Sequence, residues 1–134
     1  MANLRMIEGI GDTYAEKLEA VGVKTTDALL EQGATSKGRA AIAEKSGITE
    51  TLILKWVNHC DLYRLDGAGE EYIDLLEAAG VDTVPELAQR NAENLYQKLV
   101  ETNEAKKKVR KLPSADQVAK WVEQAKTLPR VITY

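Results

Sequence analysis

Two short segments of the sequence place a pair of glycines around one apolar residue just before a predicted helix. They are Gly9-Ile10-Gly11 and Gly67-Ala68-Gly69. Glycine permits a positive φ, the central side chain turns inward, and backbone amides at the start of the following helix point outward. Such a helix start carries partial positive charge and can bind an anion. The six residues are therefore candidates for an anion site, but the turn requires its glycines whether or not a ligand binds.

Basic side chains that could meet phosphate groups form the second group of candidates. Five of them fall within residues 106–111, and the full set is Lys17, Lys24, Lys106, Lys107, Lys108, Arg110 and Lys111. Residues 66–104 hold ten acidic and two basic residues, a local charge of −8, whereas residues 105–134 hold eight basic and two acidic residues, or +6. For residues 106–111 we therefore favour a solvated helix end that answers the preceding acids over a nucleic-acid patch.

Catalytic and metal-binding patterns are missing from the sequence. His59 is the only histidine and Cys60 the only cysteine, and two adjacent residues of a helix point in different directions, so the pair cannot chelate one ion. There is no nucleophile elbow, no phosphate-binding loop and no dinucleotide-binding glycine motif. We expect no enzymatic activity, no catalytic residue, no metal and no cofactor.

Helical spacing of apolar residues runs through both halves of the chain. It predicts a helix that opens after Gly11 and runs to about Val21, where Gly22 ends it in the left-handed conformation. The same pattern repeats before Gly80. Short helices are expected after the caps Thr25 or Thr26 and Thr83, and longer ones over about 36–46 and 92–110.

The last helix of each half is predicted to start at a cap, Thr49 or Ser114. Each then aligns four apolar residues at i, i+3, i+4 and i+7, which are Ile53, Trp56, Val57 and Cys60 in the first half and Val118, Trp121, Val122 and Ala125 in the second. This placement favours core packing of both tryptophans over base stacking. Since no strand pattern occurs, we predict an all-α fold.

The two halves are related by an internal repeat. Residues 7–32 and 65–90 share ten identities in 26 aligned positions, where unrelated sequence gives roughly one or two. Further on, the offset between matching residues grows by seven. We therefore predict a first repeat over residues 1–64 and a second over 65–134, with an insertion near residues 104–112.

Composition limits the function classes. The 134 residues are 44% hydrophobic and 29% charged, typical of a globular domain, and the net charge of −3 provides no overall attraction to phosphates or anionic lipid. No apolar run is long enough to cross a membrane. One cysteine and no apolar leader pattern indicate a cytoplasmic location.

The segment Ile7-Glu8-Gly9-Ile10-Gly11, followed by Ala15, Leu18 and Gly22-Val23, resembles the helix-hairpin-helix motif. Residues 65–81 resemble it again, with Ile73 in place of the alanine. The resemblance implies that tandem copies hold the sugar-phosphate backbone of DNA through hairpin amides, sometimes with a monovalent cation. DNA-binding members often have a lysine at the second residue after the hairpin, where this chain has Thr13 and Glu71.

Over nearly its whole length the chain also resembles an uncharacterised bacterial helical family, domain of unknown function 4332 (DUF4332). Both glycine segments take part in this resemblance, as do residues 52–59, 77–83 and 128–134. It implies the same helical fold and brings no established activity.

The sequence therefore predicts an all-α protein of two tandem helix-hairpin-helix-like repeats packed into one compact helical unit. We expect a non-enzymatic binding module that acts by protein-protein interaction, as a scaffold or adaptor or by self-association. The alternative is weak, sequence-independent binding of a DNA or RNA backbone through the glycine turns, aided by the basic residues above. We expect no membrane partner.

Overall fold

The computed structural model describes residues 3–7 and 9–134, and short helices joined by tight turns make up most of this part of the chain. A 3₁₀ helix (Leu4–Met6) comes first. It is followed by eight α-helices: α1 (Asp12–Ala20), α2 (Thr26–Gln32), α3 (Ser36–Ser46), α4 (Glu50–Leu62), α5 (Glu70–Ala78), α6 (Val84–Ala88), α7 (Ala92–Lys106) and α8 (Ala115–Thr127). No strand occurs among the described residues, where a single isolated β-bridge joins Asn3 and Thr25. The predicted all-α class is confirmed.

Side-chain caps fix where the helices start. The hydroxyls of Thr25, Thr83 and Ser114 accept a hydrogen bond from the amide three residues further on, as predicted. Thr35 and Asn91 cap α3 and α7 in the same way. Each such cap stabilises a helix by about 1 kcal/mol.

Glycines fix where α1 and α5 end. Gly22 has φ 91° and Gly80 has φ 97°, the left-handed conformation predicted for both. The amide of Val23 then reaches back to the carbonyl of Leu18 (2.9 Å), and that of Val81 to Leu76 (2.9 Å). This bonding satisfies carbonyls that the helix end would otherwise leave open, and it turns a buried valine into the core.

The chain divides into two compact units. Unit 1 comprises Met1–Asp61 and Val131–Tyr134, and unit 2 comprises Leu62–Arg130. The repeat-based division at residue 64 stays a prediction, because it concerns sequence duplication rather than packing.

In unit 1, α1 packs against the 3₁₀ helix and α3, and α3 packs against α2. The apolar residues predicted to line α4 are all buried, at 0–3% exposure. The ring of Trp56 meets that of Tyr14, with centroids 5.1 Å apart and planes at 60°.

In unit 2, α8 packs against α6 and α7, and α7 packs against α5. Val118, Trp121, Val122 and Ala125 are buried, as predicted. The rings of Trp121 and Tyr72 meet at 5.5 Å and 58°, close to the values for Trp56 and Tyr14. This agreement supports the repeat, which stays a prediction.

The end of α7 differs from the prediction, which continued the helix to Arg110. The helix ends at Lys106, because Lys107 adopts the left-handed conformation (φ 50°, ψ 49°) and donates its amide to the carbonyl of Asn103 at 2.7 Å. With 15 residues α7 is longer than α3, which has 11, and the segment after it, 107–114, is longer than its counterpart 47–49. If the predicted repeat holds, the extra residues of its second half lie in both the helix and the loop.

Within the described residues, no helix is long and apolar enough to span a membrane.

Candidate functional site

The basic loop, defined as residues 106–111, begins at the last residue of α7 and is held in place by an asparagine from the last turn of that helix. The side chain of Asn103 accepts a hydrogen bond from the amide of Val109 (2.9 Å) and donates one to its carbonyl (3.1 Å). The side chain of Val109 is 7% exposed and packs into the core of unit 2. The backbone of the loop is therefore held at its middle residue.

All five cations of the basic loop are exposed. Considering only the residues that the structure describes, Lys106, Lys107, Arg110 and Lys111 form no ion pair. The cations after Lys106 lie on a loop rather than on the predicted continuation of α7. The choice of a solvated helix end over a nucleic-acid patch stays a prediction.

An acidic face runs along α7, just before the basic loop. Glu93, Glu101 and Glu104 fall within an arc of about 80° around the helix axis, since successive residues are about 100° apart. All three are exposed and, like the four cations, form no ion pair with any described residue. Lys106 points to the opposite side of the helix. Unit 2 therefore presents exposed charges of both signs that form no ion pair with the described residues.

The first glycine turn keeps its helix start accessible. Gly9 (φ 94°) and Gly11 are exposed, Ile10 is buried, and α1 has no side-chain cap from its N-cap residue, Gly11. Asp12, in the first turn of α1, is paired with Arg5 at 2.8 Å, and Arg5 also binds Glu19 at 3.0 Å. These hydrogen bonds raise the pKa of Arg5.

Sequence reasoning missed Arg5, because nothing in its spacing marks a residue that bridges two carboxylates of a following helix. Its effect is to reduce the repulsion that Asp12 would exert on an anion at the first turn.

The second glycine turn contacts side chains of α8. The amide of Asp66 donates to Gln124 Oε1 (2.9 Å), and its carbonyl accepts from Trp121 Nε1 (3.1 Å). Gly67 has φ 76°, and a Cβ placed there would lie 3.3 Å from Gln117 Nε2. Ala68 is buried, whereas Gly69 is exposed.

A cavity of about 480 Å³ beside this turn is lined by Asp66, Gly67, Gln117, Lys120, Trp121 and Gln124. The polar residues of α8 were missed, although their spacing places Gln117, Lys120 and Gln124 on one face of the helix. Glu70 and Glu71 occupy the first turn of α5 and form no ion pair with described residues. These acidic side chains make the second turn a poorer candidate for an anion site than the first.

The remaining basic candidates lie in unit 1. Lys17 is exposed on α1 with its Nζ 5.9 Å from the centre of the Tyr14 ring, and Lys24 is exposed in the turn before α2. His59 and Cys60 are both buried on α4. The expectation of no catalytic, metal or cofactor residue stays a prediction.

Comparisons with known proteins bear on the family alone. No curated protein and no solved structure matched the chain. The sequence model of the family described as "Domain of unknown function (DUF4332)" matches residues 8–128, which is most of the chain. The chain therefore belongs to the DUF4332 family.

Proposed function

We propose that this protein is a non-enzymatic, cytoplasmic binding module that acts by protein-protein interaction, and that it self-associates. In this proposal the basic loop of one copy contacts the acidic face of α7 on another. The supporting observation is that Lys107, Arg110 and Lys111 are exposed on a loop that Asn103 and Val109 hold in place, and that neither they nor the acidic face of α7 form an ion pair with any described residue.

The fixed loop matters because binding then orders few additional residues, which lowers the entropic cost of association. A single exposed ion pair contributes about 0.2–1 kcal/mol, so several pairs must form together. A two-fold dimer achieves this, since each copy offers its basic loop to its partner's acidic face and every contact occurs twice. Such an interface weakens as salt rises, because the charges remain partly exposed.

The alternative is sequence-independent binding of a nucleic-acid backbone through the first glycine turn and the basic residues. It is favoured by the accessible amides at the start of α1, where Asp12 is already paired with Arg5. The unpaired Glu70 and Glu71 at the second turn and the net charge of −3 oppose it.

The test is the mass of the protein in solution, measured by light scattering over a range of protein and salt concentrations. We expect a concentration-dependent rise in mass at low salt that disappears at high salt. The double variants K107E/R110E and E101K/E104K should each remain monomeric, and their equimolar mixture should regain the larger mass because the reversed charges match again. The control K37E/K45E has the same charge change as the first double variant but lies on α3, and it should behave as the wild type.

A wild type that stays monomeric under all conditions, or a K107E/R110E variant that associates like the control, contradicts the proposal. Duplex DNA separates the two candidates. Micromolar or tighter binding at physiological salt that weakens steeply with salt and is lost in K107E/R110E would establish the alternative instead.

A further inference from the structure

Arg39 of α3 is a buried cation without an anionic partner. It is 6% exposed, and no carboxylate oxygen of a described residue lies within ion-pair distance of its guanidinium. Its three hydrogen bonds go to neutral backbone carbonyls, those of Gly33 (2.9 Å), Ala34 (3.2 Å) and Thr133 (2.8 Å). A guanidinium has five N–H groups, so at least two of them have no partner among the described residues. Because a buried charge without a counterion is unfavourable, an anion beside it would be stabilising.

A cavity of about 220 Å³ in unit 1 is lined by this arginine. We call it the Arg39 cavity, and its other lining residues are Ser36, Glu50, Thr51 and Leu54. Cavities that hold drug-sized ligands measure about 300–1,000 Å³. The Arg39 cavity is therefore suited to a small ion or to a single chemical group of a larger molecule.

Two helices begin at the Arg39 cavity. Ser36 is the first residue of α3 and Glu50 the first of α4, and these helices have 11 and 13 residues. The backbone amides of Ser36, Glu50 and Thr51 form no hydrogen bond with any described residue, as is usual in a first helical turn. The hydroxyls of Ser36 and Thr51 are likewise without a partner in the described part of the chain, and both side chains are exposed. The partial positive charges of two helix starts thus add to the charge of Arg39.

We propose that the Arg39 cavity binds a phosphoryl group, that of inorganic phosphate or of a small phosphate monoester. The lining donors are a guanidinium, two hydroxyls and the amides of two helix starts. They outnumber the two oxygens of a carboxylate and suit a group with three or more acceptor oxygens. Three carbonyls already hold the guanidinium in place, so binding orders few further atoms. The proposal concerns unit 1 alone and does not depend on the basic loop.

Glu50 opposes a bound anion, which gives the proposal a test of sign. Its side chain is exposed and forms no ion pair with any described residue, Arg39 included. Because a negative charge in the first turn of α4 repels phosphate, Glu50→Gln should tighten phosphate binding by about two- to fivefold. Asp27→Asn is the matched control. It removes the same charge from the first turn of α2, which does not line the cavity, and should leave the affinity almost unchanged.

The main experiment titrates the full-length protein with inorganic phosphate at constant ionic strength and follows the backbone amides by NMR. We expect saturable shifts at Ser36, Glu50 and Thr51, with a dissociation constant in the millimolar range or below. Sodium chloride at the same ionic strength should not produce these shifts. The double variant S36A/T51A should bind phosphate at least about tenfold more weakly, because it loses two hydroxyl donors to a charged group. The control Thr13→Ala removes an exposed hydroxyl from the first turn of α1 and should bind as the wild type.

Arg39→Lys tests the cation itself. Lysine keeps the charge but lacks the planar fork of donors, so phosphate binding should weaken by at least about tenfold. Circular dichroism checks the fold of each variant. If Arg39→Lys loses its helical signal, the S36A/T51A and Glu50→Gln titrations decide, because all three of these side chains are exposed.

Glycerol phosphate distinguishes the two sources of the phosphoryl group. An ester that binds at least as tightly as inorganic phosphate identifies a phosphorylated small molecule as the ligand, and one that binds more weakly identifies the free ion. Shifts that do not saturate, that chloride reproduces or that S36A/T51A leaves unchanged overturn the proposal. A Glu50→Gln variant that binds phosphate more weakly than the wild type, or a titration that is lost in K107E/R110E, overturns it as well.

Discussion

Replacing Asn103 by alanine tests whether one side chain fixes the basic loop. The change removes two hydrogen bonds to the backbone of Val109, at 2.9 and 3.1 Å. Each intramolecular hydrogen bond contributes about 1 ± 0.5 kcal/mol, so the two together stabilise the protein by about 1–3 kcal/mol. Alanine is also a better helix former than asparagine by roughly 0.5 kcal/mol, which offsets part of this loss.

Asn94→Ala is a matched control on the same helix. Asn94 is exposed, and only its backbone amide takes part in the α7 cap, so the substitution brings the helix-propensity gain without the loss of loop contacts. Urea unfolding of both variants measures the difference in the free energy of unfolding. We expect Asn103→Ala to be the less stable by about 1–3 kcal/mol.

Hydrogen exchange locates the effect within the molecule. The amide of Val109 should exchange faster in Asn103→Ala, while amides in the middle of α7 keep their protection. Two variants of equal stability, or an unchanged exchange rate at Val109, would refute the assignment of Asn103 as the residue that fixes the loop. Because the loop is the proposed contact, self-association should weaken in this variant as well.

Two further predictions concern a helix end and a carboxylate. Gly80→Ala should lower the free energy of unfolding by about 1–2 kcal/mol, because Gly80 has φ 97°, which an alanine adopts only with strain. The control Gly69→Ala should change the free energy of unfolding by less than about 0.5 kcal/mol, since Gly69 has φ −80° and open space beside it. Burial raises the pKa of Asp82 above 3.8, and the charges of Glu86 and Glu77 add to this effect. The folded state therefore holds the proton of the Asp82 carboxyl group more tightly than the unfolded state does. As the pH rises through the raised pKa, the carboxyl group ionises and the protein becomes less stable. Urea unfolding should show that Asp82→Asn is more stable than the wild type at pH 7 and that this advantage is lost below pH 3.8. A variant that is less stable than the wild type at pH 7 would contradict this reasoning.

The sequence predicted those parts of the fold that depend on local signals. Thr83 and Ser114 cap helices because each hydroxyl accepts a hydrogen bond from the free backbone amide three residues further on. The helical spacing of apolar residues around Trp56 and Trp121 places both tryptophans in the core. The end of α7 was misplaced because lysine and arginine favour helix, and no glycine interrupts the run before Pro113.

The contacts that define the candidate surfaces were less accessible to sequence reasoning. Arg39 joins Ala34 to Thr133, which lie far apart in the chain, and no short-range pattern encodes such a pairing. Asn103 lies only six residues from Val109, but the bidentate contact forms only once the helix has ended at Lys106. The glycine turns were located from sequence, whereas the partner of Asp12 and the side chain next to Gly67 come from residues outside the motif.

The two tryptophans of the chain are divided between the units, Trp56 in unit 1 and Trp121 in unit 2, and each is 1% exposed. Each indole therefore acts as an intrinsic fluorophore for its own unit, whose emission shifts when water reaches the ring. Replacing one tryptophan by phenylalanine leaves a chain that reports the melting of a single unit. The fold thereby supplies an optical measure of whether the two units lose their structure together or in sequence.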